Sequence, residues 1–245
     1  MFNKEQKLKS EFVLGNANAK LSSLNSNDIR KLAVAWSYYS GKIEGNTYTY
    51  VETESLLLDG VTSPKRYEDA RMLKNLHNTF NSIVAEIHAG HRRKIDEASV
   101  FSLHSSLIAD LVDVSQKGTL RNRPVQITGT SYLPPKSPQE ISLGLNEVFF
   151  SLVTAPNPLE KAIYVHCNLA RIQPFIDGNK RTARLIESIV LMQADLIPIF
   201  STRDEDILKY RNSLLAFYET KDYSPYANYF LDNLLERIHD ASLDS

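Results

Sequence analysis

Hydrophobic residues recur every three or four positions along most of the chain, which predicts helices rather than strands. In residues 27–45 this pattern forms one stripe, made of Ile29, Leu32, Ala33, Trp36, Ser40 and Ile43. Gly45 follows as a natural helix-ending residue, and Ser26 or Asn27 suits the cap at the start. Further helices are predicted at 51–58, 63–88, 97–110, 137–153, 157–173, 179–192, 203–219 and 225–238. We therefore expect a mostly α fold.

The helical pattern is interrupted at residues 118–135, GTLRNRPVQITGTSYLPP. Apolar and polar side chains alternate from Val125 to Thr128, Gly129 can supply a turn, and two prolines end the stretch. These features predict a short β-hairpin. An open strand edge there can pair with the main chain of an extended peptide.

The pattern also predicts two successive helices with a sharp break between them. The first begins with Asn157 as N-cap and Pro158 in its first position. Pro174 ends it because a proline disfavours helical backbone in the preceding residue, Gln173. The second helix begins near Asn179, after the turn residues that precede it.

The start of this second helix has the chemistry of an anion site. Its unpaired amides carry partial positive charge, and Gly178 lets a ligand approach the backbone. Lys180, Arg181 and Arg184 add cationic donors suited to phosphate, and Asp177 can hold Mg²⁺ together with phosphate oxygens. The same spacing also fits a capped helix whose basic side chains make ordinary salt bridges. The residues alone leave both interpretations open.

Composition narrows the class of protein further. The 245 residues carry a net charge of −1, which argues against direct nucleic-acid binding. Cys167 is the single cysteine, so an internal disulfide is excluded and a reducing compartment is expected. Residues 1–20 are too polar for a signal peptide, and no apolar run approaches a membrane span. We expect a cytoplasmic protein that binds no membrane.

The run QPFIDGNKRTAR, residues 173–184, resembles the Fic-domain signature H-P-F-x-D/E-G-N-G/K-R-x-x-R, which follows a helix with a histidine such as His166. The resemblance implies a Fic-type helical core with a β-hairpin flap, and transfer of AMP from ATP to a hydroxyl side chain of a target protein. It assigns Mg²⁺ to Asp177 and the γ-phosphate to Arg184. Further nucleotide contacts are implied for Gly178, Asn179, Lys180, Arg181 and Tyr210.

Residues 40–46, SGKIEGN, are similar to the Fic inhibitory motif S/T-x-x-x-E-G/N. This similarity implies that Glu44 pairs with Arg184 and blocks the γ-phosphate, while Ser40 orients the helix end. The implied organisation is an N-terminal inhibitory region, 1–60, and a Fic core, 61–245, with its flap at 118–135. The flap residues expected to hold the target segment are Ile127, Thr128, Gly129 and Thr130.

Two residues depart from the Fic pattern. Gln173 occupies the position of the catalytic histidine, and an amide lacks the basicity to take a proton from an attacking hydroxyl. We expect a severely impaired enzyme, and His166 is expected to be packed rather than to replace that base. Lys180 makes GNKRT similar to the DANKRT of the death-on-curing phosphotransferases.

Three alternatives therefore remain beside AMP transfer. The chain can be a pseudoenzyme that holds a nucleotide or a peptide, a phosphotransferase, or an enzyme that removes AMP with water oriented by Glu44. Family members often form dimers through helical surfaces, so a homo-oligomer is also left open.

Overall fold

The computed structural model describes residues 1–243, and most of them are helical. The α-helices in chain order are α1 (Lys4–Gly15), α2 (Ser26–Ile43), α3 (Tyr50–Glu54), α4 (Tyr67–His88), α5 (Glu97–Leu107), α6 (Pro138–Leu152), α7 (Pro158–Ile172), α8 (Asn179–Gln193), α9 (Asp204–Thr220) and α10 (Ser224–Leu243). The expected mostly α class is confirmed. None of the helices in 1–243 combines the length and apolarity that a bilayer crossing requires.

Helices α7 and α8 form the centre of the molecule. They pack against each other along their length, and α8 also contacts α4 and α5. Nearly every residue of α8 is buried, polar ones included. A helix that is buried on all sides must satisfy its polar side chains internally. The two arginines of α8 are therefore held inside the protein rather than on its surface.

Helix α2 lies across this centre and packs on α4 and α9. Its N-cap is Asn25 rather than the predicted Ser26 or Asn27, and the Asn25 side chain accepts hydrogen bonds from two first-turn amides. Trp36 anchors the middle of α2, since its indole donates to Ser188 Oγ on α8 at 2.9 Å and its ring stacks on Phe80. Gly45 ends the helix with φ of 81°, as predicted. These contacts fix the C-terminus of α2 above the start of α8.

The structure does not confirm the predicted β-hairpin at residues 118–135. No strand ladder forms within 1–243, where an isolated antiparallel bridge joins Lys20 and Leu196. The segment instead runs extended over α9 and turns at Gly129, with φ of 93°. Its polar groups bond to other parts of the chain: Glu219 of α9 accepts from the Thr130 hydroxyl and from the amide of Ser131. We refer to residues 118–135 as the flap segment.

The polar N-terminus is more ordered than its composition suggests. Helix α1 begins at an Asn3 capping box and packs on α10. Buried Gln6 donates to the Ser224 carbonyl and the Asn228 side chain, and the backbone N–H of Phe2 donates to Glu160. These interactions are polar, so hydrophobic periodicity alone did not predict this helix.

Candidate nucleotide site

The backbone between α7 and α8 brings the signature residues to one point. Gln173 ends α7 in the left-handed region, with φ of 51° and ψ of 62°, which lies outside the right-handed helical region that the following proline disfavours. Gly178 precedes α8 with φ of 77°, and a Cβ there would lie 2.7 Å from Ile108. Glycine is therefore required by conformation and by packing. Because it has no side chain, no side-chain cap occupies the first amides of α8.

A set of buried contacts fixes the loop before α8. The Asn179 amide donates to the Phe175 carbonyl and its oxygen accepts from the Phe175 N–H, both at 2.8 Å. The His104 ring stacks on Phe175 with centroids 3.6 Å apart. His104 Nε2 donates to the Asp177 carbonyl at 2.9 Å, while Nδ1 accepts from the N–H of Gly118 at 3.0 Å. Burial lowers the pKa of His104 to about 4, so the neutral ring joins this loop to the base of the flap segment.

Arg181 lies in this loop's interior with unused donors. Its side chain is 2% exposed, and Nη2 donates to Asp177 Oδ2 at 2.7 Å. Nε and Nη1 are buried and have no hydrogen-bond partner among the described residues. Unpaired buried donors are costly, so a missing acceptor such as a phosphate oxygen is indicated.

The residues present also fit a magnesium ion held together with phosphate. The carboxylate of Asp177 remains about half exposed although it accepts from Arg181 and from the Gly178 N–H. Within the described residues, no cluster of three or more metal-binding side chains occurs. A protein-only cage is therefore not formed. One accessible carboxylate beside an anion site is the arrangement in which Mg²⁺ takes its other ligands from water and phosphate.

The end of α2 meets α8 in an ion pair. Glu44 Oε1 accepts from Arg184 Nη2 at 2.7 Å, and Glu44 Oε2 lies 3.6 Å from Lys180 Nζ. Burial by itself raises the pKa of the Glu44 carboxyl, but the charges of Arg184, Lys180 and Arg181 outweigh burial and lower it to about 2. Glu44 is thus a charged carboxylate that forms ion pairs with Arg184 and Lys180 in the first turns of α8.

Arg184 makes two further hydrogen bonds, while its buried Nε has no hydrogen-bond partner among the described residues. Nη2 donates to the Ser40 carbonyl at 3.0 Å, and Nη1 donates to the Tyr210 hydroxyl at 3.1 Å. Ser40 contributes its main chain here, while its hydroxyl has no partner in the described part of the chain. Tyr210 is 1% exposed and is also one of the residues that line the candidate cavity. The structure therefore gives Tyr210 a contact with Arg184.

A cavity of about 510 Å³ opens between the flap segment, α9 and the start of α8. Its polar rim includes Glu44, Gln173, Asp177 and Lys180, and its apolar wall includes Ile127, Thr128, Ile207, Leu214, Leu215 and Tyr218. A wider concavity of about 780 Å³ lies at the end of α6, but none of its lining residues has a buried unpaired polar atom. The smaller cavity is therefore the candidate site.

Gln173 lies at the rim of this cavity, and its side-chain amide bonds back to its own helix. Its side-chain Nε2 donates to the Ala170 carbonyl at 2.5 Å, and the main-chain carbonyl of Gln173 accepts from Arg121 Nε at 2.6 Å. His166, seven residues earlier, is fully buried and is not part of the cavity wall. It is therefore packed, as expected from its position on α7.

The structure brings together most of the residues singled out in the sequence. Glu44, Asp177, Lys180, Arg181 and Arg184 lie around one point, and Ile127 and Thr128 face them across the cavity. The Asn179 side chain is used within the loop. Gly129 and Thr130 lie against α9, where Leu215 and Glu219 contact them.

The sequence placed Arg121 and Arg123 near the target segment or the base of the flap, but the contacts by which residues here hold the site were not predicted. Arg121, 1% exposed, donates to the carbonyls of Gln173, Arg123 and Pro135, and so joins both ends of the flap segment to α7. The Arg171 guanidinium lies 3.7 Å from the ring centre of Tyr132. An arginine next to a predicted loop is usually solvated, and only the carbonyls that converge on Arg121 in space reveal its role.

Comparisons with known proteins agree with this geometry. The Fic/DOC family matches residues 94–191. The protein adenylyltransferase Fic of Drosophila persimilis is 28% identical over 205 residues, which cover 80% of this chain and 38% of that protein. The chain thus spans about two fifths of the length of the curated relatives it matches.

Solved structures show the same fold. A Fic family protein from Desulfovibrio desulfuricans superposes with a TM-score of 0.82 at 19% identity, covering 100% of this chain and 76% of that one. A Fic domain containing signaling protein from Bacteroides thetaiotaomicron gives a TM-score of 0.74 at 25% identity, covering 96% and 93%.

Proposed function

Because this chain contains a Fic domain and is homologous to the Fic protein adenylyltransferases, we propose that it binds ATP with Mg²⁺ in the cavity of about 510 Å³. The associated reaction is transfer of AMP to a hydroxyl side chain of a target protein. Residues 1–60 act as an inhibitory region on a core of residues 61–245. The same fold in BepC of Bartonella tribocorum (TM-score 0.51, 15% identity, covering 74% of this chain and 96% of that one) holds bound AMPPNP.

One observation carries the proposal: the Glu44 carboxylate lies 2.7 Å from Arg184 at the uncapped start of α8. A carboxylate there occupies the place of a terminal phosphate, because both are anions that accept from a guanidinium. The unpaired donors of Arg181 are next to it and supply a further phosphate contact. Glu44 thus acts as an internal competitor for the triphosphate.

In this proposal, different residues at the cavity bind the phosphates, the magnesium ion, the nucleoside and the target. The amides of Lys180 and Arg181 and the Arg181 side chain hold the phosphates, and Arg184 takes the terminal phosphate when Glu44 leaves. Asp177 holds Mg²⁺, which neutralises phosphate charge when bound. The apolar wall from Ile127 to Leu215 shields the nucleoside from water. The flap segment presents the target hydroxyl beside the α-phosphate.

In the transfer, the hydroxyl oxygen of the target bonds to the α-phosphorus of ATP. The bond between that phosphorus and the oxygen bridging to the β-phosphate breaks, and pyrophosphate leaves. The hydroxyl proton needs an acceptor at this moment. Gln173 cannot accept it, so the proton must pass to water, and the rate falls by about 10²–10⁴ relative to an enzyme with a base at this position.

Binding without chemistry is the second candidate function. The observation that favours it is the Gln173 amide, which donates to the Ala170 carbonyl and has no basic nitrogen to take a proton. In that case Glu44 still regulates access of the nucleotide, and the flap segment holds a peptide.

Phosphate transfer is the third candidate function, since Lys180 Nζ lies 3.6 Å from Glu44 Oε2 and adds a cation where the terminal phosphate would lie.

The test uses four versions of the full chain: unchanged, Glu44→Gly, Gln173→His, and the double variant. Each is incubated with ATP labelled at the α- or the γ-phosphate, and both self-labelling and labelling of a cell extract are measured. We expect α-label on protein with the double variant, and at least about a hundredfold less with Glu44→Gly alone. A Glu44→Gly, Gln173→Asn double variant is the matched control, and it should stay unlabelled.

The alternative outcomes separate the candidates. Transfer of γ-label without α-label selects phosphate transfer. ATP binding by Glu44→Gly without label in any variant selects the binding protein. If Glu44→Gly binds no ATP at all, the site itself is wrongly assigned.

A further inference from the structure

A chain of hydrogen bonds runs inside the protein from Arg184 through Tyr210 to His166. Arg184 Nη1 donates to the Tyr210 hydroxyl at 3.1 Å, and that hydroxyl lies 3.1 Å from His166 Nε2. All three side chains are almost completely buried. The path joins α8 to α9 and α9 to α7, and Tyr210, its middle residue, also lines the cavity.

The chemistry of the donors fixes the direction of each hydrogen bond. A guanidinium can only donate, so the Tyr210 oxygen accepts from Arg184. The Tyr210 hydroxyl hydrogen must then be directed to His166 Nε2, which accepts it only if that nitrogen carries no proton. Burial lowers the pKa of His166 well below its ordinary value, which keeps the ring neutral. The ring proton is consequently on Nδ1.

The other side of the histidine ring is held by α8 and α10. Nδ1 lies 3.2 Å from Glu187 Oε2, at an angle that does not make a regular hydrogen bond. Tyr226 donates to the same carboxyl oxygen at 2.8 Å, and its ring stacks on His166 at 4.8 Å. Burial raises the pKa of Glu187 to about 8. The ring therefore has little freedom to rotate and keeps Nε2 aimed at Tyr210.

We propose that His166 is a positioning residue which, through the Tyr210 hydroxyl, holds Arg184 in the orientation that binds a terminal phosphate. This inference rests on the proposed ATP site. When Glu44 leaves, the hydrogen-bond partners that Arg184 keeps within residues 1–243 are the Ser40 carbonyl and the Tyr210 hydroxyl. Without the acceptor on His166, the Tyr210 hydrogen turns towards Arg184 and opposes the guanidinium. The arginine then loses the fixed geometry on which recognition of the γ-phosphate depends.

The experiment compares ATP with ADP, because only ATP has the phosphate that Arg184 contacts. Dissociation constants for both are measured by calorimetry with Mg²⁺ in the full chain carrying Glu44→Gly. Into this parent we introduce Tyr210→Phe, His166→Phe and the conservative His166→Gln. We expect Tyr210→Phe and His166→Phe to lower the preference for ATP over ADP about tenfold. His166→Gln retains an acceptor and should restore most of the preference.

Tyr229→Phe is the matched control. Tyr229 is a buried tyrosine beside the Tyr210 ring whose hydroxyl bonds to Tyr39 and to neither Arg184 nor His166. It should leave the ATP to ADP preference unchanged.

The outcomes distinguish failure of the proposed ATP site from failure of the positioning role of His166. A parent that binds neither nucleotide overturns the proposed function. A parent that prefers ATP equally strongly in all variants overturns the positioning role alone. Equal weakening of ATP and ADP shows a merely structural role and also overturns it. If melting curves show that His166→Phe does not fold, the positioning role is judged from Tyr210→Phe, which removes a single oxygen atom.

Discussion

Replacing Glu44 with glutamine should increase the affinity for ATP. Glutamine keeps the size of the side chain and removes its charge, so it reproduces the protonated form of the carboxyl. The cations at the start of α8 lower the pKa of Glu44 from 4.5 to about 2. The side chain is only 13% exposed, so solvent screens this preference weakly.

The shift in pKa sets the size of the expected effect. At about 1.4 kcal/mol per pKa unit, the site favours the charged over the neutral side chain by roughly 3 kcal/mol. Because Glu44 and the terminal phosphate compete for Arg184, this preference opposes ATP binding in the unchanged chain. Its removal should tighten ATP binding by up to about a hundredfold. ADP, which lacks the competing phosphate, should gain much less.

The measurement is titration of ATP and ADP into both proteins with Mg²⁺. Glu52→Gln is the control, because Lys65 and the amide of Thr49 lower the pKa of Glu52 to about 2 at a place outside the cavity. Glu52→Gln should leave both affinities unchanged.

The pH dependence follows from the direction of the Glu44 shift. A carboxyl with a lowered pKa in the folded state contributes its full stabilisation above about pH 4.5 and loses it as the pH falls towards 2. The advantage of Glu44→Gln should therefore be constant from about pH 6 to pH 9. Unchanged or weaker ATP binding in Glu44→Gln would refute the competition between Glu44 and phosphate.

Three further predictions concern the surroundings of the site. Asp177→Asn should remove most of the difference in ATP affinity between Mg²⁺ and EDTA, and calorimetry in both buffers measures this loss. Arg121→Lys should lower the free energy of unfolding by about 2–3 kcal/mol in urea titrations, because lysine cannot donate to three separated carbonyls. The pKa of Glu187 is raised to about 8, so its folded form holds a proton that the unfolded chain loses above about pH 4.5. Stability should thus fall between about pH 4.5 and pH 8 in the unchanged chain, and Glu187→Gln should remove that slope in urea titrations repeated across this range.

The sequence allowed the elements of the site to be predicted, and it failed where partners come from distant segments. Helix starts and ends depend on residues within one turn, so the cap at Asn157 and the break at Gln173 were predicted correctly. The β-hairpin was not confirmed, because Glu219 on α9 takes the hydrogen bonds of the flap segment. Alternation of side chains carries no information about such a competitor.

What the sequence determined by itself is local chemistry: a glycine where α8 begins, cations in its first turn, and an amide where the Fic signature has a histidine. These properties belong to single residues and their neighbours along the chain. What only the tertiary structure decided is which side chains share a space. Burial of Trp36 against Ser188 places Glu44 on Arg184, 140 residues away, and the same packing joins His166 and Tyr210 to that arginine by hydrogen bonds. Packing decides this because a buried charge must find its partners in three dimensions, wherever the chain brings them.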